Sequence, residues 1–364
     1  MTNQILIYDP VPFKGGSKKV MKSIVEQLPT DIEVWVISND KSSWQQENVH
    51  FIELYSPAFL QNQTTGLLFF IKHFLYLFSI ISNMLRLKRF SKVIGFSGPS
   101  VDFALYLLTE LFCIDVIQLV QGDIANSKVA KFGLTRAKKV FYLPSTHHSI
   151  INTLKTHNAL KIIDKEKFMP FINGINKQMI KPKKRSNQVV FLWAASLLKW
   201  KRIELFIEAM HSLNSRNKDL NKYCANICYI PADTNEQIAN DEINPLDNVQ
   251  WYADPSNLNE IRANSSVFIS TSENEPFGLS ILESMAAGLA IVIPADNAYW
   301  DQQLTDGYNC IKYDPNNRET LVYALQRLID DEKLLSHISI KAKHSAKKYC
   351  ASRCYQQILN SIPN

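Results

Sequence analysis

The chain has 364 residues, of which 46% are hydrophobic and 20% charged, and it carries a formal net charge of +6. That length exceeds one ordinary core and suits two domains, while the hydrophobic content excludes a disordered chain. The positive excess is modest and no recognition motif accompanies it, so nucleic acid is not expected as a partner.

In chain order, Met1-Thr-Asn-Gln4 runs directly into a short apolar strand at 5–8, which reads as a chain without a secretory leader. Further apolar runs at 33–37, 93–96, 116–120 and 140–143 predict parallel strands with helical segments between several of them. Between the second and third lies an aromatic-rich apolar run from Gly66 to Leu85, nearly long enough to span a bilayer but interrupted by Lys72 and His73. Two readings stay open for it. One is a long buried helix of the first domain. The other is a helix in a membrane interface, with the basic flank Arg86, Lys88, Arg89 and Lys92 on anionic lipid. The stretch Lys181-Pro-Lys-Lys-Arg-Ser-Asn187 is polar, basic and proline-containing, as a surface linker should be. Beyond it, runs at 189–193, 225–230, 249–252, 267–269 and 291–293 predict a second set of strands, and the tail from Leu334 is helical in pattern. The expected fold is α/β, with two doubly wound, Rossmann-like domains at 1–180 and 186–340 and a C-terminal segment at 341–364. The six cysteines lack metal-ligand spacing and are read as reduced thiols of a cytoplasmic protein, with Cys350 and Cys354 as packing residues.

The most informative stretch runs from Thr271 to Gly288. Pro276 and Gly278 mark a helix entrance and Gly288 its end. Leu279, Leu282, Met285 and Ala286 recur at helical spacing and are expected to face the sheet, turning Glu283 the other way. Glu275 stands just before the helix. The free N–H groups of Gly278, Leu279 and Ser280 point out of that N-terminus, where the helix dipole favours an anion such as phosphate.

Glu275 and Glu283, with Phe277-Gly278 between them, resemble the Glu-x7-Glu signature of family 4 glycosyltransferases, retaining enzymes of the GT-B fold, here of the bacterial surface-polysaccharide type. The resemblance extends through Met285-Ala-Ala-Gly288 to Asp306-Gly-Tyr-Asn309. It implies two domains facing a cleft, the acceptor on the first, a nucleotide-sugar on the second, and a last helix that crosses back. Pro12-Phe-Lys-Gly-Gly-Ser17 is similar to the family's glycine loop, with Gly15 and Gly16 allowing close backbone approach. Pro170-Phe-Ile-Asn-Gly-Ile-Asn176 is similar to its segment near the interdomain connection, with Asn173 in the donor-binding set. Trp193-Ala-Ala-Ser-Leu-Leu-Lys-Trp-Lys-Arg202 resembles the strand-turn-helix that sets two cations against donor pyrophosphate. Lys201 takes the lysine position. Ser196 stands where the arginine belongs, and Lys199 or Arg202 is expected to replace it. Two further departures are Gln121-Gly-Asp123 in place of a histidine, and Tyr229-Ile-Pro-Ala-Asp233 in place of a glycine-rich turn under the base. His147 and His148 are read as loop or helix-start residues.

The expected chemistry needs no metal and no cofactor: Lys201 and the helix N-terminus meet the charge of the leaving nucleoside diphosphate. Glu275 would bind donor-sugar hydroxyls and Glu283 the ribose, while Gln121 or Asp123 would hold the sugar or orient the acceptor hydroxyl. The acceptor would be a glycan or lipid-linked glycan in O-antigen or capsule assembly, with the protein cytoplasmic or peripheral on the inner membrane face. A catalytically silent scaffold that binds a partner, and a nucleotide-sugar epimerase, remain as alternatives.

Overall fold

The computed structural model describes residues 3–84, 90, 92–112, 114–176, 181–182, 188–217, 219–231 and 246–362. Cys113, residues 183–187 of the expected linker, Asp233, and the basic residues Arg86, Lys88 and Arg89 lie outside the described residues. The chain forms two compact units, Met1–Gly174 with Ala351–Asn364, and Ile175–Cys350.

The first unit alternates strand and helix: β1 (Asn3–Asp9), α1 (Gly16–Val25), β2 (Ile32–Ser38), β3 (Val49–Glu53), α2 (Ala58–Gln61), α3 (Gly66–Met84), β4 (Lys92–Gly95), α4 (Phe103–Phe112), β5 (Asp115–Val120), α5 (Lys128–Arg136), β6 (Lys139–Tyr142), α6 (His147–Thr156) and β7 (Phe168–Pro170). Its strands form one sheet in the order β3-β2-β1-β4-β5-β6-β7, and the pairings are parallel. Strand order reverses between β1 and β4, so the loops after these two strands flank a crevice at the carboxyl edge. The middles of the interior strands are mostly apolar because helices cover both faces, with Gln118 of β5 as a buried polar exception.

The second unit contains β8 (Val189–Ser196), α7 (Ile203–Arg216), β9 (Tyr223–Ile230), β10 (Val249–Ala253), α8 (Leu258–Ala263), β11 (Val267–Ile269), α9 (Leu279–Ala287), β12 (Ala290–Pro294), α10 (Tyr299–Gln303), β13 (Ile311–Tyr313), α11 (Arg318–Asp330) and α12 (Glu332–Ala346). Its parallel sheet has the order β10-β9-β8-β11-β12-β13, with the reversal between β8 and β11. Phe191, Ile227, Ile269 and Val292 from the strands pack with Phe206, Met210 and Leu325 from the helices in one core.

The chain crosses between units at 174/175 and again at 350/351, against the expected 180–186 and 341. α12 stays in the second unit, where it packs on α9 and β12 and buries Ile338 and Ala342. The segment that rejoins the first unit begins at Ala351 and is two short helices, α13 (Ala351–Cys354) and α14 (Gln356–Leu359), instead of one long helix. Gly174 N–H donates to Tyr355 Oη at 3.0 Å, and that hydroxyl donates to Gly174 O at 2.9 Å. A Cβ at residue 174 would lie 2.7 Å from Ala351 Cα, so only glycine fits this contact.

The run from Gly66 forms α3 up to Met84, but one face only is core. Phe69, His73, Tyr76, Leu77 and Ile80 are buried, in part against α4. Leu67, Phe70, Ile71, Phe74 and Phe78 follow helical spacing along the other face, and Phe74 and Phe78 are 59% and 70% exposed.

Candidate functional site

The switch point of the second sheet brings together the two loops that carry the charged residues of interest. After β8 the chain makes a short 3-10 turn at Lys199–Lys201 and enters α7 through Arg202 in the left-handed region, φ 49°. After β11 it passes through Thr271 to Glu275 and enters α9 through Gly278, φ 74°, while Gly288 closes that helix at φ 96°. Three contacts clamp these loops. Trp193 Nε1 donates to Thr271 Oγ1 at 3.0 Å, Thr271 Oγ1 donates to Lys201 O at 2.7 Å, and Glu273 N–H donates to Trp200 O at 2.8 Å. With its backbone fixed, Lys201 places Nζ against the Glu275 carboxylate and 3.7 Å from the centroid of the Trp200 ring.

Lys201 is therefore not a solvated surface lysine: its side chain is 13% exposed. Burial pushes its ammonium pKa down from the ordinary 10.5, and the Glu275 carboxylate opposes that shift. A cation and an anion held in contact at the mouth of a helix N-terminus form a site that an incoming anion can divide. Among the described residues nothing accepts from the N–H groups of Gly278, Leu279 and Ser280. Gly278 is required there, since a Cβ would lie 2.9 Å from Ile281 Cδ1 and 3.0 Å from Glu275 Cγ at a φ that L-residues avoid.

The two residues expected to replace the missing arginine differ in their surroundings. Lys199 is exposed, and Arg202 Nη2 is directed to Pro315 O at 3.4 Å, because the left-handed turn at Arg202 aims its side chain toward the loop after β13. Ser196 ends β8, half-buried. The α9 stripe also differs from expectation: Ile281, Leu282 and Met285 are buried, whereas Leu279 and Ala286 are partly exposed. α9 is covered by β12 on one side and α12 on another, so its buried arc is centred one residue further along. Glu283 does leave the sheet face, and it pairs with Arg262 of α8, Nη2 to Oε2 at 2.5 Å.

Sequence reasoning missed Arg262, Thr271 and the aromatic cluster behind the motif. Phe277 packs on Tyr299 and Trp300 with ring centroids 4.9 and 5.2 Å apart, and Tyr299 Oη donates to Tyr349 Oη at 3.0 Å. Asp296 braces the same loop by accepting from Asn274 N–H and Ala298 N–H, each at 3.0 Å. The only available signal was aromatic density around residues 299, 300 and 349, and spacing alone does not pair such residues.

The remaining candidates lie in the first unit, around its own switch point. Gly15 caps α1 in an extended conformation and Gly16 is the helix's first residue, so neither is forced to be glycine by its backbone; a Cβ at Gly15 would touch only Ser17 Oγ at 4.0 Å. Open space is what Gly15 supplies. Gln121 follows the end of β5 with Nε2 3.5 Å from Ser17 O, Asp123 is exposed, and Asn173 is buried with no partner for Oδ1 among the described residues. Beneath the loop, Lys18 Nζ is buried between Asp9 Oδ2 at 2.9 Å and Asp40 Oδ2 at 2.8 Å and also donates to Val11 O. His147 starts α6 and stacks on Tyr142.

Residues 174–345 match the family model described as Glycosyl transferases group 1. No curated protein matches the chain. Among solved structures the chain is similar to the HepE protein of Anabaena in complex with UDP-glucose, at TM-score 0.77 and 14% identity over 99% of each chain. It is also similar to a glycosyltransferase of Rickettsia africae, at TM-score 0.70 and 17% identity over 99% of this chain and 98% of that one. A third is WaaG, a glycosyltransferase involved in lipopolysaccharide biosynthesis, at TM-score 0.73 and 15% identity over 99% of each chain. The chain thus has the two-domain GT-B fold, and its second unit carries the stretch that matches the group 1 glycosyl transferases.

Proposed function

We propose that the protein is a retaining glycosyltransferase that moves a sugar from a nucleotide-sugar to a glycan or lipid-linked glycan acceptor. The observation that carries this reading is the Lys201–Glu275 pair at the β8/β11 switch point, beside the open N-terminus of α9. The match of residues 174–345 to group 1 glycosyl transferases supports it. A donor pyrophosphate takes Lys201 and the N–H groups of Gly278 to Ser280, which releases Glu275 to accept from hydroxyls of the transferred sugar. Charge builds on the phosphate oxygen as its bond to the anomeric carbon breaks, and these fixed donors stabilise it there. The acceptor oxygen bonds to the same face of that carbon while its proton passes to the departing phosphate oxygen, so no protein base and no metal is assigned. Gly15, Gly16, Gln121 and Asp123, around the switch point of the first sheet, bind the acceptor.

The α3 stripe favours an acceptor at a membrane. Five apolar side chains on one helix face form an apolar surface of the kind an interfacial helix buries in lipid, and Arg86, Lys88 and Arg89 follow it in sequence. The protein is then cytoplasmic and peripheral, acting in surface-polysaccharide assembly. The experiment is a panel of nucleotide-sugars with and without a lipid-linked glycan acceptor, in chelator, with the anomeric configuration of the product read by NMR. Acceptor-dependent transfer with retention is expected. Turnover that ignores the acceptor would favour an epimerase, and no turnover with intact donor binding a silent scaffold.

A further inference from the structure

Glu275, whose carboxylate holds Lys201, is preceded by two backbone N–H groups that are fastened from two different loops. Glu273 N–H donates to Trp200 O at 2.8 Å, in the loop after β8, and Asn274 N–H donates to Asp296 Oδ2 at 3.0 Å, in the loop after β12. The first acceptor is a backbone carbonyl that any residue supplies. The second is a side chain, so this contact depends on which residue stands at 296. Asn274 lies in the left-handed region at φ 50°, a conformation that residues other than glycine hold mainly where their surroundings fix it. Glu275 follows directly, and the direction in which its side chain leaves the loop is set by that backbone.

Asp296 is itself firmly mounted. Its Oδ1 accepts from Ala298 N–H at 3.0 Å, closing a local turn, while Asn297 N–H donates to Asp301 Oδ2 at 2.7 Å and Asp301 Oδ1 pairs with Lys312 Nζ at 2.6 Å. Burial pushes the Asp296 carboxyl up from the ordinary 3.8, and the N–H groups of Ala298 and Asn274 oppose that shift. Closing the turn needs one acceptor oxygen, which asparagine or serine also supplies. The second oxygen of the carboxylate is accounted for by its reach across 22 residues to Asn274. Asp296 and Glu275 also line one small cavity with Ser272 and Trp300, so the brace stands beside the group it braces. We propose that Asp296 is a positioning residue for Glu275: it fixes Asn274, and through it the orientation in which the Glu275 carboxylate meets hydroxyls of the transferred sugar. This rests on the donor-sugar role given to Glu275 above.

Calorimetry of UDP-glucose, UDP-galactose, ADP-glucose and GDP-mannose, each beside its own nucleoside diphosphate, separates the sugar contacts from the phosphate contacts. In Asp296→Asn the turn at Ala298 keeps its acceptor, while an amide NH2 replaces the oxygen that faces Asn274 N–H. Affinity for the nucleotide-sugar that binds should fall about tenfold, as expected when a hydrogen bond to a charged group is misaligned, with affinity for its diphosphate within about twofold of wild type. In the Glu275→Ala background the same substitution should change nucleotide-sugar affinity by less than about twofold, because nothing is left to position. Equal weakening of both ligands in Asp296→Asn would make the carboxylate a brace for the whole loop, and a full further loss in the Glu275→Ala background would make it a direct sugar contact. Either result overturns the assignment, as does an Asp296→Asn protein that binds both ligands as tightly as wild type. Unchanged nucleotide-sugar affinity in Glu275→Ala alone, or no binding by the wild type, overturns instead the donor reading on which the assignment rests.

Discussion

Thr271 Oγ1 donates to the carbonyl of Lys201 at 2.7 Å, so the residue that positions the lysine backbone comes from the same loop as the carboxylate that holds its side chain. The loop after β8 and the loop after β11 are in this way one mechanical unit, although Lys201 and Glu275 are 74 residues apart.

A double-mutant cycle follows from that pairing. Lys201→Ala and Glu275→Ala should each lower kcat/KM by about ten- to a hundredfold, on the order of 1–3 kcal/mol for a charged hydrogen bond. The double variant should lose at least the product of the two single losses, because the bound donor separates the pair and each residue then meets a different group of it. A double variant that loses no more than either single one would show that the two residues do not make separate contacts with the donor.

Gly278→Ala should cost about 1–2 kcal/mol of stability from the left-handed backbone alone, with added cost from the contacts at Ile281 and Glu275. Donor affinity should fall with it, since the displaced N–H groups are those proposed to meet the donor phosphate. Denaturant melts and nucleotide titration check both, and a variant as stable and as tight-binding as wild type would contradict the cap geometry.

Much of this was legible in the sequence. The bounds of α9 were set by Gly278 and Gly288, and the interior strands were plain as mostly apolar runs, because burial on both faces favours that composition. β3, β7 and β13 were missed. All three are edge strands, two of them three residues long, and no residue of β3 is fully buried. Arg262 and Thr271 were missed for another reason: spacing reports which residues share one helix or strand, but not which partner a neighbouring element will offer.

Opposite pH dependences are built into the first unit. Burial among Phe69, Tyr76 and Phe103 pushes His73 down to about 3 from 6.5. The unfolded chain therefore binds more protons there between about pH 3 and 6.5, and this contribution to stability is lost as pH falls through that window. Burial raises Asp102 to about 7 from 3.8, against hydrogen bonds from Gln118, Ser97 and Gly98. Here the folded chain binds more protons, and stability falls as pH rises from about 3.8 to 7. The two slopes oppose each other in the wild type. His73→Phe should become relatively more stable toward pH 4, and Asp102→Asn relatively more stable toward pH 8, in chemical denaturation series. Parallel pH profiles for wild type and both variants would rule this out.

Vesicle co-sedimentation addresses the exposed face of α3. The protein should pellet with anionic vesicles at low salt, less at high salt, and not with neutral phosphatidylcholine, each basic residue near the surface contributing about 1 kcal/mol. Phe74→Ser with Phe78→Ser should abolish pelleting without changing the melting temperature, because both side chains point to solvent. Pelleting unchanged in that variant would assign the attachment elsewhere.

The central claim is that the Lys201–Glu275 pair is the donor-phosphate site, and calorimetric titration of nucleotide-sugars into wild type and Lys201→Ala measures it directly. At least one nucleotide-sugar should bind the wild type, with a loss of about tenfold or more in the variant at unchanged fold. Equal affinity in the two proteins, or no binding by the wild type, would contradict it.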